Sequence, residues 1–481
     1  MKKIISIIII GVSFLIISCS DDFIDLLPIS SVTVDILYRT DKDFSDAFPP
    51  IYDNLQQHYN QHWMFGDLRG DDAWQEIVKA NSQSYMDLFT TNSSDGLMNN
   101  TWTRHYQAIF RANTILTKIE DRTVEEVPNK ALYIGEARFL RALMYFNLVR
   151  IFGDVPMVTK PLSIEEGYKT PREPVSNIYN QIIIPDLLEA EKVLPVKWAA
   201  SGMGRPTLGA AKGILSRVYI TLKDFQKAEI KLQEITTLGY ELLPDFNRLF
   251  DHTQDPYHKE YIWDIEYREG ISEANSFTSS MSPNSILFTN HYKMNIREGG
   301  ECNSPTQILI DLFDAEDKRR DVTIGEPGGF TNDQGVWINL PPNTSQTYTK
   351  KWIVPFTIDA GANWKVLRYG DVLLMYAEAL NENGKTSQAI PYLNQIRVRA
   401  DVPEYPLDMT QSETRDAIAL ERRLELSFEG VRWFDLVRTG KAYDVMKDYG
   451  MQPHMWIFPL PLSQVELIND LTIFPQNPGY D

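Results

Sequence analysis

The chain has 481 residues and a formal net charge of −18, from 65 acidic against 47 basic side chains. That balance repels nucleic acid and anionic lipid surfaces, so neither is an expected partner. The length allows a large core, and with only two cysteines, Cys19 and Cys302, no disulfide framework is expected.

Lys2 and Lys3 precede an uncharged run from Ile4 to Ile17, followed by Ser18 and Cys19. The run is shorter than the ~20 apolar residues of a membrane-spanning helix and fits the centre of a secretory signal. Ile16, Ile17, Ser18 and Cys19 resemble a bacterial lipobox. Residues 1–18 are therefore expected to be removed and Cys19 acylated, against the alternative of an uncleaved anchor. The remaining 463 residues carry −20. Cys302 is then left without a partner and is expected to be a half-buried bystander.

Several stretches carry helical periodicity. In GEARFLRALMYFNLVRIFGD (135–154), Leu140, Met144, Leu148 and Ile151 form a stripe, widened by Phe139, Leu143 and Phe146, and Gly153 reads as the stop. Between 210 and 238, Ala211, Leu215 and Tyr219 precede a KDF turn and then Ala228, Leu232 and Ile235. VLRYGDVLLMYAEALNENGKT (366–386) places Tyr369, Val372, Leu373, Tyr376 and Leu380 on one face, and a second helix carries Ala389, Leu393 and Ile396. Short connections make such helices antiparallel neighbours, and pairs of ~34 residues resemble tetratricopeptide packing. The pairs are not in tandem. From about 240 to 362 the texture turns irregular, with strand-like pieces such as YIWDIEY (261–267), and long ordered loops tend to carry function. Near the C-terminus, Ser463 and Glu466 form a capping-box pattern, and Pro478 and Gly479 suit a type II turn.

An ordered set of blocks is similar to the SusD/RagB family of Bacteroidota surface lipoproteins. They include CSDDFIDLLP (19–28), LRGDDAW (68–74), WTRHYQAIFRANTIL (102–116), the 135–156 block, GRPTLGAAKGILSRVYI (204–220), LNQIRVRA (393–400) and ERRLELSFEGVRWFDLVRTG (421–440), with the terminal FPLP and QNPGY. The resemblance implies a mainly α fold: a tetratricopeptide-like helical-repeat superhelix with an irregular loop-rich half containing a few short strands. It divides the chain into a signal (1–18), an N-terminal helical region (19–240), an irregular ligand-binding insertion (241–365) and a C-terminal helical region (366–481), the last three packing as one unit. It also implies a lipid-anchored protein on the outer face of the outer membrane, with Asp21 and Asp22 matching a surface-export signal. Their alternative role is a solvated tether. The implied function is non-catalytic capture of oligosaccharides for a SusC-like TonB-dependent transporter. The alternatives are a RagB-like peptide or nutrient binder, or a non-transport scaffold that binds a protein partner.

The residues themselves show no HExxH, GxSxG, P-loop or paired CxxC, and no cofactor is expected. His58 and His62, four apart, read as a surface pair rather than a metal site. Asp67, just before LRGDDAW, and Asp71 and Asp72 within it could hold calcium, but helix capping and pairing with Arg69 is the preferred reading. The carboxylates of ERRLELSFEG read as an ion-pair network with Arg422, Arg423 and Arg432. Sugar binding asks for exposed aromatic faces, which tryptophan and tyrosine supply. Trp102, Trp352, Trp433 and Trp456 fall in framework blocks, with Trp352 in a strand-like segment. Trp74, Trp63, Trp337, Tyr348 and Tyr292 remain as ligand-binding candidates, Trp74 first.

Overall fold

The computed structural model describes residues 37–199, 202–252, 256–270, 273–294, 299–332, 334–340, 347–355 and 360–480. The expected signal 1–18, Cys19, Asp21 and Asp22 lie outside the described residues.

Helix α1 (Pro49–Tyr59) opens on two prolines, where a helix has no use for their missing N–H groups. Helix α2 (Gly96–Glu120) is capped by the Asp95 carboxylate, which accepts from the Leu97 amide. Helix α3 (Lys130–Phe152) ends at Gly153, whose φ of 72° suits a residue without Cβ. The expected stripe on α3 is buried, but so are Glu136, Arg141 and Asn147 on its other sides. It is an enclosed helix rather than an amphipathic one. Arg141 is matched there by Asp186, Nε to Oδ2 at 2.7 Å and Nη2 to Oδ1 at 2.9 Å. Helices α4 (Ile184–Val193), α5 (Leu208–Thr221) and α6 (Phe225–Thr236) follow. Ala211, Leu215, Tyr219, Ala228, Leu232 and Ile235 all face the core.

Packing follows the chain: α1 on α2, α2 on α3, α3 on α4, α4 on α5 and α5 on α6. The next neighbour of α6 is α7 (Tyr369–Glu382), which also packs on α8 (Thr386–Ala400) and α9 (Gln411–Glu425). The stack therefore continues across the irregular stretch, which leaves it between α6 and α7 and returns. Helix α10 (Arg432–Arg438) completes the long elements used below.

Strands are short and pair antiparallel. They are β1 (Ala73–Trp74) with β5 (Ser304–Pro305), β2 (Val155–Pro156) with β3 (Arg172–Glu173), β4 (Tyr261–Ile265) with β8 (Trp364–Arg368), and β6 (Gly329–Thr331) with β7 (Trp337–Asn339). Two sequence expectations give way here. Val366 to Arg368 extend in β8 rather than starting a helix, because β4 supplies their backbone partners. Trp352 lies outside any strand; it is buried with its ring parallel to Trp364 at 5.0 Å. Near the C-terminus the short helix Leu462–Ile468 starts after Pro461, and the Ser463 hydroxyl bonds Asn99 Oδ1 at 2.7 Å, so no capping box forms. The QNPGYD turn does close: Tyr480 N donates to Asn477 O at 3.1 Å, with Gly479 at φ 85°.

A buried ionic core ties the irregular half to the helices. Arg319 Nη1 meets Glu421 at 2.8 Å and its Nη2 meets Asp317 at 2.7 Å. Arg368 contacts Glu429 at 2.8 Å and Glu260 at 3.0 Å, and Lys351 meets Glu429 at 2.9 Å. Glu425 is shared by Arg368, Arg399 and Arg319. Burial alone would raise the Glu425 carboxyl, but these three arginines outweigh it and hold it far below the carboxylate range. The expected pairing within ERRLELSFEG is therefore corrected. Its glutamates take cations from elsewhere, while Arg422 goes to Asp371 (2.7 Å) and Asp435 (3.0 Å).

Candidate functional site

The LRGDDAW turn is fixed by backbone crossing at two glycines. A Cβ on Gly66 would lie 2.1 Å from Gly430 O, and Gly430 itself sits at φ 74° against His62. Only glycine at both positions lets this turn meet the segment joining α9 to α10. Asp67, buried, accepts from Gly430 N at 2.8 Å, and burial raises its carboxyl well above the ordinary range.

Asp71 accepts from Arg432 Nε at 2.7 Å and Arg423 Nη2 at 2.7 Å, and Asp72 accepts from Arg423 Nε at 2.5 Å. Burial raises Asp71, yet Arg432 and Arg423 outweigh it and the carboxyl lies low. For Asp72 burial wins and the carboxyl lies high. The expected pairing with Arg69 is corrected: the turn's carboxylates pair with Arg423 and Arg432. Arg69 instead lies over Phe89, 3.8 Å from its ring centre, and donates to Met86 O at 3.0 Å. Among the described residues no three His, Cys, Asp or Glu side chains form a metal site. His58 and His62 are buried, not on the surface, with ring nitrogens 3.2 Å apart and His105 packed edge-on to His58.

Directly after this turn, β1 places Ala73 in the core and Trp74 outside, as strand alternation requires. Trp74 pairs with Ser304, Thr306 N donates to Asp72 O at 3.0 Å, and Thr306 Oγ1 donates to Asp71 O at 2.8 Å. On the other side Gln75 N donates to Asp87 at 3.1 Å. The Trp74 backbone is thus pinned on both flanks while its side chain is 40% exposed. β5 joins this strand to the irregular half.

That half carries the other exposed candidate. Trp337 is 44% exposed on β7, with Nε1 donating to Asn339 Oδ1 at 2.8 Å. Its ring rests against β6 at Gly329, where an added Cβ would lie 2.6 Å from ring atom Cζ2. Phe330 beside it packs on Phe288 at 5.6 Å, and Phe288 on Tyr348 at 4.8 Å. Tyr348 is 2% exposed and Trp63 is 1% exposed, so neither ring presents a face to a ligand. Tyr348 lies on Gly325 and under Phe288, and Trp63 Nε1 donates to Asn60 O at 3.0 Å inside the core. Both are corrected to framework. Tyr292 is half-buried, its hydroxyl 3.4 Å from that of Tyr348. Thr349 Oγ1, one residue past Tyr348, bonds Asn303 O beside β5, and so links this cluster back to Trp74.

Of the framework tryptophans, Trp102, Trp352 and Trp433 are buried, whereas Trp456 is 48% exposed and is corrected. Cys302 is fully buried rather than half-buried, with burial pushing its thiol up to about 11. Sequence reasoning missed Arg423 and Arg432 as partners of the acidic turn, and Gly329 as the bed of Trp337. The glycine offered no signal, since its role depends on the strand opposite.

The architecture is a helical-repeat stack interrupted by an irregular excursion, with the exposed rings of Trp74 on β1 and Trp337 on β7. The chain belongs to the SusD family. Residues 259–480 match the model described as "SusD family", and residues 22–220 match "Starch-binding associating with outer membrane". It is 28% identical to "SusD-like protein P2" of Formosa agariphila, over 97% of both chains. A solved "Laminarin binding SusD-like protein" shares 28% identity with a TM-score of 0.79, over 92% of this chain and all of that one. "Surface glycan-binding protein A" of Bacteroides thetaiotaomicron, solved with laminarihexaose, shares the fold at a TM-score of 0.78 and 21% identity, over 91% of this chain and 99% of that one.

Proposed function

We propose that this protein is a glycan-binding lipoprotein of the outer-membrane surface that captures oligosaccharides and hands them to a SusC-like TonB-dependent transporter. The insertion 241–365 supplies most of the ligand face, and the helical regions 19–240 and 366–481 form the body. The observation that carries the reading is the exposed Trp74 ring on a strand held from both flanks. A flat, half-wet aromatic on a rigid support is what a pyranose stacks on. The laminarin-binding relative at 28% identity supports the same ligand class. Trp337 and Tyr292 are proposed as further contacts. Cys19 is proposed as the lipid anchor and Asp21 and Asp22 as the export signal.

Titration of the purified protein with laminari-oligosaccharides, alongside a panel of other glycans and peptides, tests the binding. The expected result is saturable micromolar binding of one glycan class with no release of reducing ends. Hydrolysis would replace this reading with an enzyme, and peptide binding alone would replace it with a RagB-like role. Co-purification of a large barrel protein from native outer membranes tests the transporter partnership. A protein recovered alone at every detergent strength would refute it.

A further inference from the structure

A cleft of about 220 Å³ lies apart from the Trp74 and Trp337 strands, with none of its lining residues in β1, β5, β6 or β7. Its wall holds the rings of Tyr240, Tyr257 and Tyr261 and the cations of Lys197, Arg205 and Lys259. Among the described residues no aspartate or glutamate lines it, in a chain whose net charge is −18.

The framework around the cleft is stiff. Gly204 and Gly239 turn the chain at φ 83° and 86°, and Trp263 Nε1 pins Gly204 O at 2.9 Å. Tyr240 is seated against Gly209, where a Cβ would meet its hydroxyl at 2.2 Å. Tyr257 meets Tyr261 edge-on at 5.1 Å. The cations differ in how far they are spent. Arg205 is held by buried Glu136 and lies 4.1 Å above the Trp198 ring. Lys259 reaches exposed Glu241 at 2.6 Å. Lys197, an exposed lining residue, makes no ion pair among the described residues. A third acid just behind the wall, Glu266, abuts Gly204 and accepts the Tyr257 hydroxyl at 2.5 Å.

We propose that this cleft is a second saccharide site, which takes an acidic pyranose with its ring against the tyrosines and its anionic group at Lys197. The proposal rests on the glycan-binding reading above. The volume suits one sugar ring, and a tyrosine ring offers an apolar face for a pyranose to lie against. The overall negative field opposes a polyanion, so the cleft selects a single acidic unit, such as a chain end, rather than a long charged surface. The anionic group is a carboxylate or a sulfate ester, which share the charge and acceptor oxygens that Lys197 recognises.

Glucuronic acid, glucose 6-sulfate, glucose and inorganic sulfate, each titrated at physiological salt, separate the cases. Wild type, Lys197→Glu, Lys197→Ala and Trp74→Ala are compared. At least one acidic sugar should bind more tightly than glucose, and the stronger of the two identifies the anionic group. Lys197→Ala should weaken it about two- to fivefold, the range of one exposed charge contact, and Lys197→Glu should weaken it further. Trp74→Ala should leave it unchanged. Equal binding of glucose, no effect of either Lys197 variant, or competition by inorganic sulfate as strong as by the sugar overturns the site. Capture of neutral oligosaccharides through Trp74 with no acidic sugar bound refutes this proposal alone. Loss of all saccharide binding refutes the glycan reading with it.

Discussion

Trp74→Ala separates support from recognition, because the side chain is 40% exposed and the remainder is held by the fold. A tryptophan buries 150–250 Å², so roughly 120 Å² of Trp74 serves stability and roughly 80 Å² is free for a ligand. At ~25 cal/mol/Å² these areas set ceilings of ~3 and ~2 kcal/mol. Neighbours relax on truncation and the β1–β5 hydrogen bonds persist, so the expected loss of stability is ~1–2 kcal/mol. A stacked ring contributes ~1 kcal/mol, which is about fivefold in affinity. Calorimetric titration with the best oligosaccharide, run beside a thermal scan, reads both quantities. Trp74→Phe keeps a ring face and should recover most of the affinity. If Trp74→Phe binds as weakly as Trp74→Ala, the ring face is not the contact. If affinity is unchanged in both, the reasoning fails outright.

Gly329→Ala drives a methyl into the Trp337 ring and to 2.3 Å from Ile338 O; it should lower affinity as much as Trp337→Ala, and unaltered binding would show that the ring seat is unimportant. Glu425→Gln leaves three arginines facing one neutral amide, and a denaturant midpoint should report a loss of ~3–5 kcal/mol. His58, His62 and His105 are buried together, and burial holds all three below their ordinary range, His105 at about 4. Their unfolded forms bind protons first, so their stabilisation is complete above ~6.5 and is lost as pH falls toward 4, by up to ~1.4 kcal/mol per pH unit for each. Asp67 and Asp87, both raised by burial, act in the opposite sense, Asp87 between ~3.9 and about 6. The test is therefore the difference between wild type and His105→Asn, whose melting curve should fall less steeply from pH 6.5 to 4.5. Cys19→Ala should release the protein from membrane fractions, and retention there would sink the proposed anchor.

The helical half was legible because its signal is local. Leu140, Met144, Leu148 and Ile151 declare a helix by spacing alone, and the KDF and NENGK turns declare where it reverses. Periodicity could not show how many sides of α3 are covered, since that depends on α2, α4 and α5 closing around it. Trp74 was singled out by its place directly after the RGDD turn and by the family resemblance, and the fold puts its ring on the outer face of β1. Trp63 and Tyr348 were not legible as buried. Trp63 sits in helical backbone just before the turn and Tyr348 in the irregular half, and composition alone cannot tell a ring that packs its neighbours from one that faces water. Arg423 was assigned to its own block although its partner, Asp72, lies 351 residues away. Charge pairing has no sequence period, so long-range ion pairs stay hidden until the chain is folded.

That hidden pairing has a consequence for the site. A loop-rich excursion lacks the repeating hydrogen bonds that hold a helix, and a face built on it would drift unless tied elsewhere. Here the ties are ionic and buried. Arg319 and Lys351, both from the excursion, end on Glu421 and Glu429 at the end of α9 and just beyond it, and Arg368 at the start of α7 joins the same cluster. Charged pairs of this kind add little net stability against an apolar core, because desolvation consumes most of the Coulomb gain. What they add is register. An arginine between two glutamates has one low-energy position, whereas a leucine in a greasy pocket has several. The second tie, from Asp71 and Asp72 to Arg423 on the same helix and to Arg432 at the start of α10, fixes the Trp74 strand by the same means. The end of α9 and the segment leading into α10 thus set the position of both exposed rings, although none of their glutamates or arginines needs to touch a ligand.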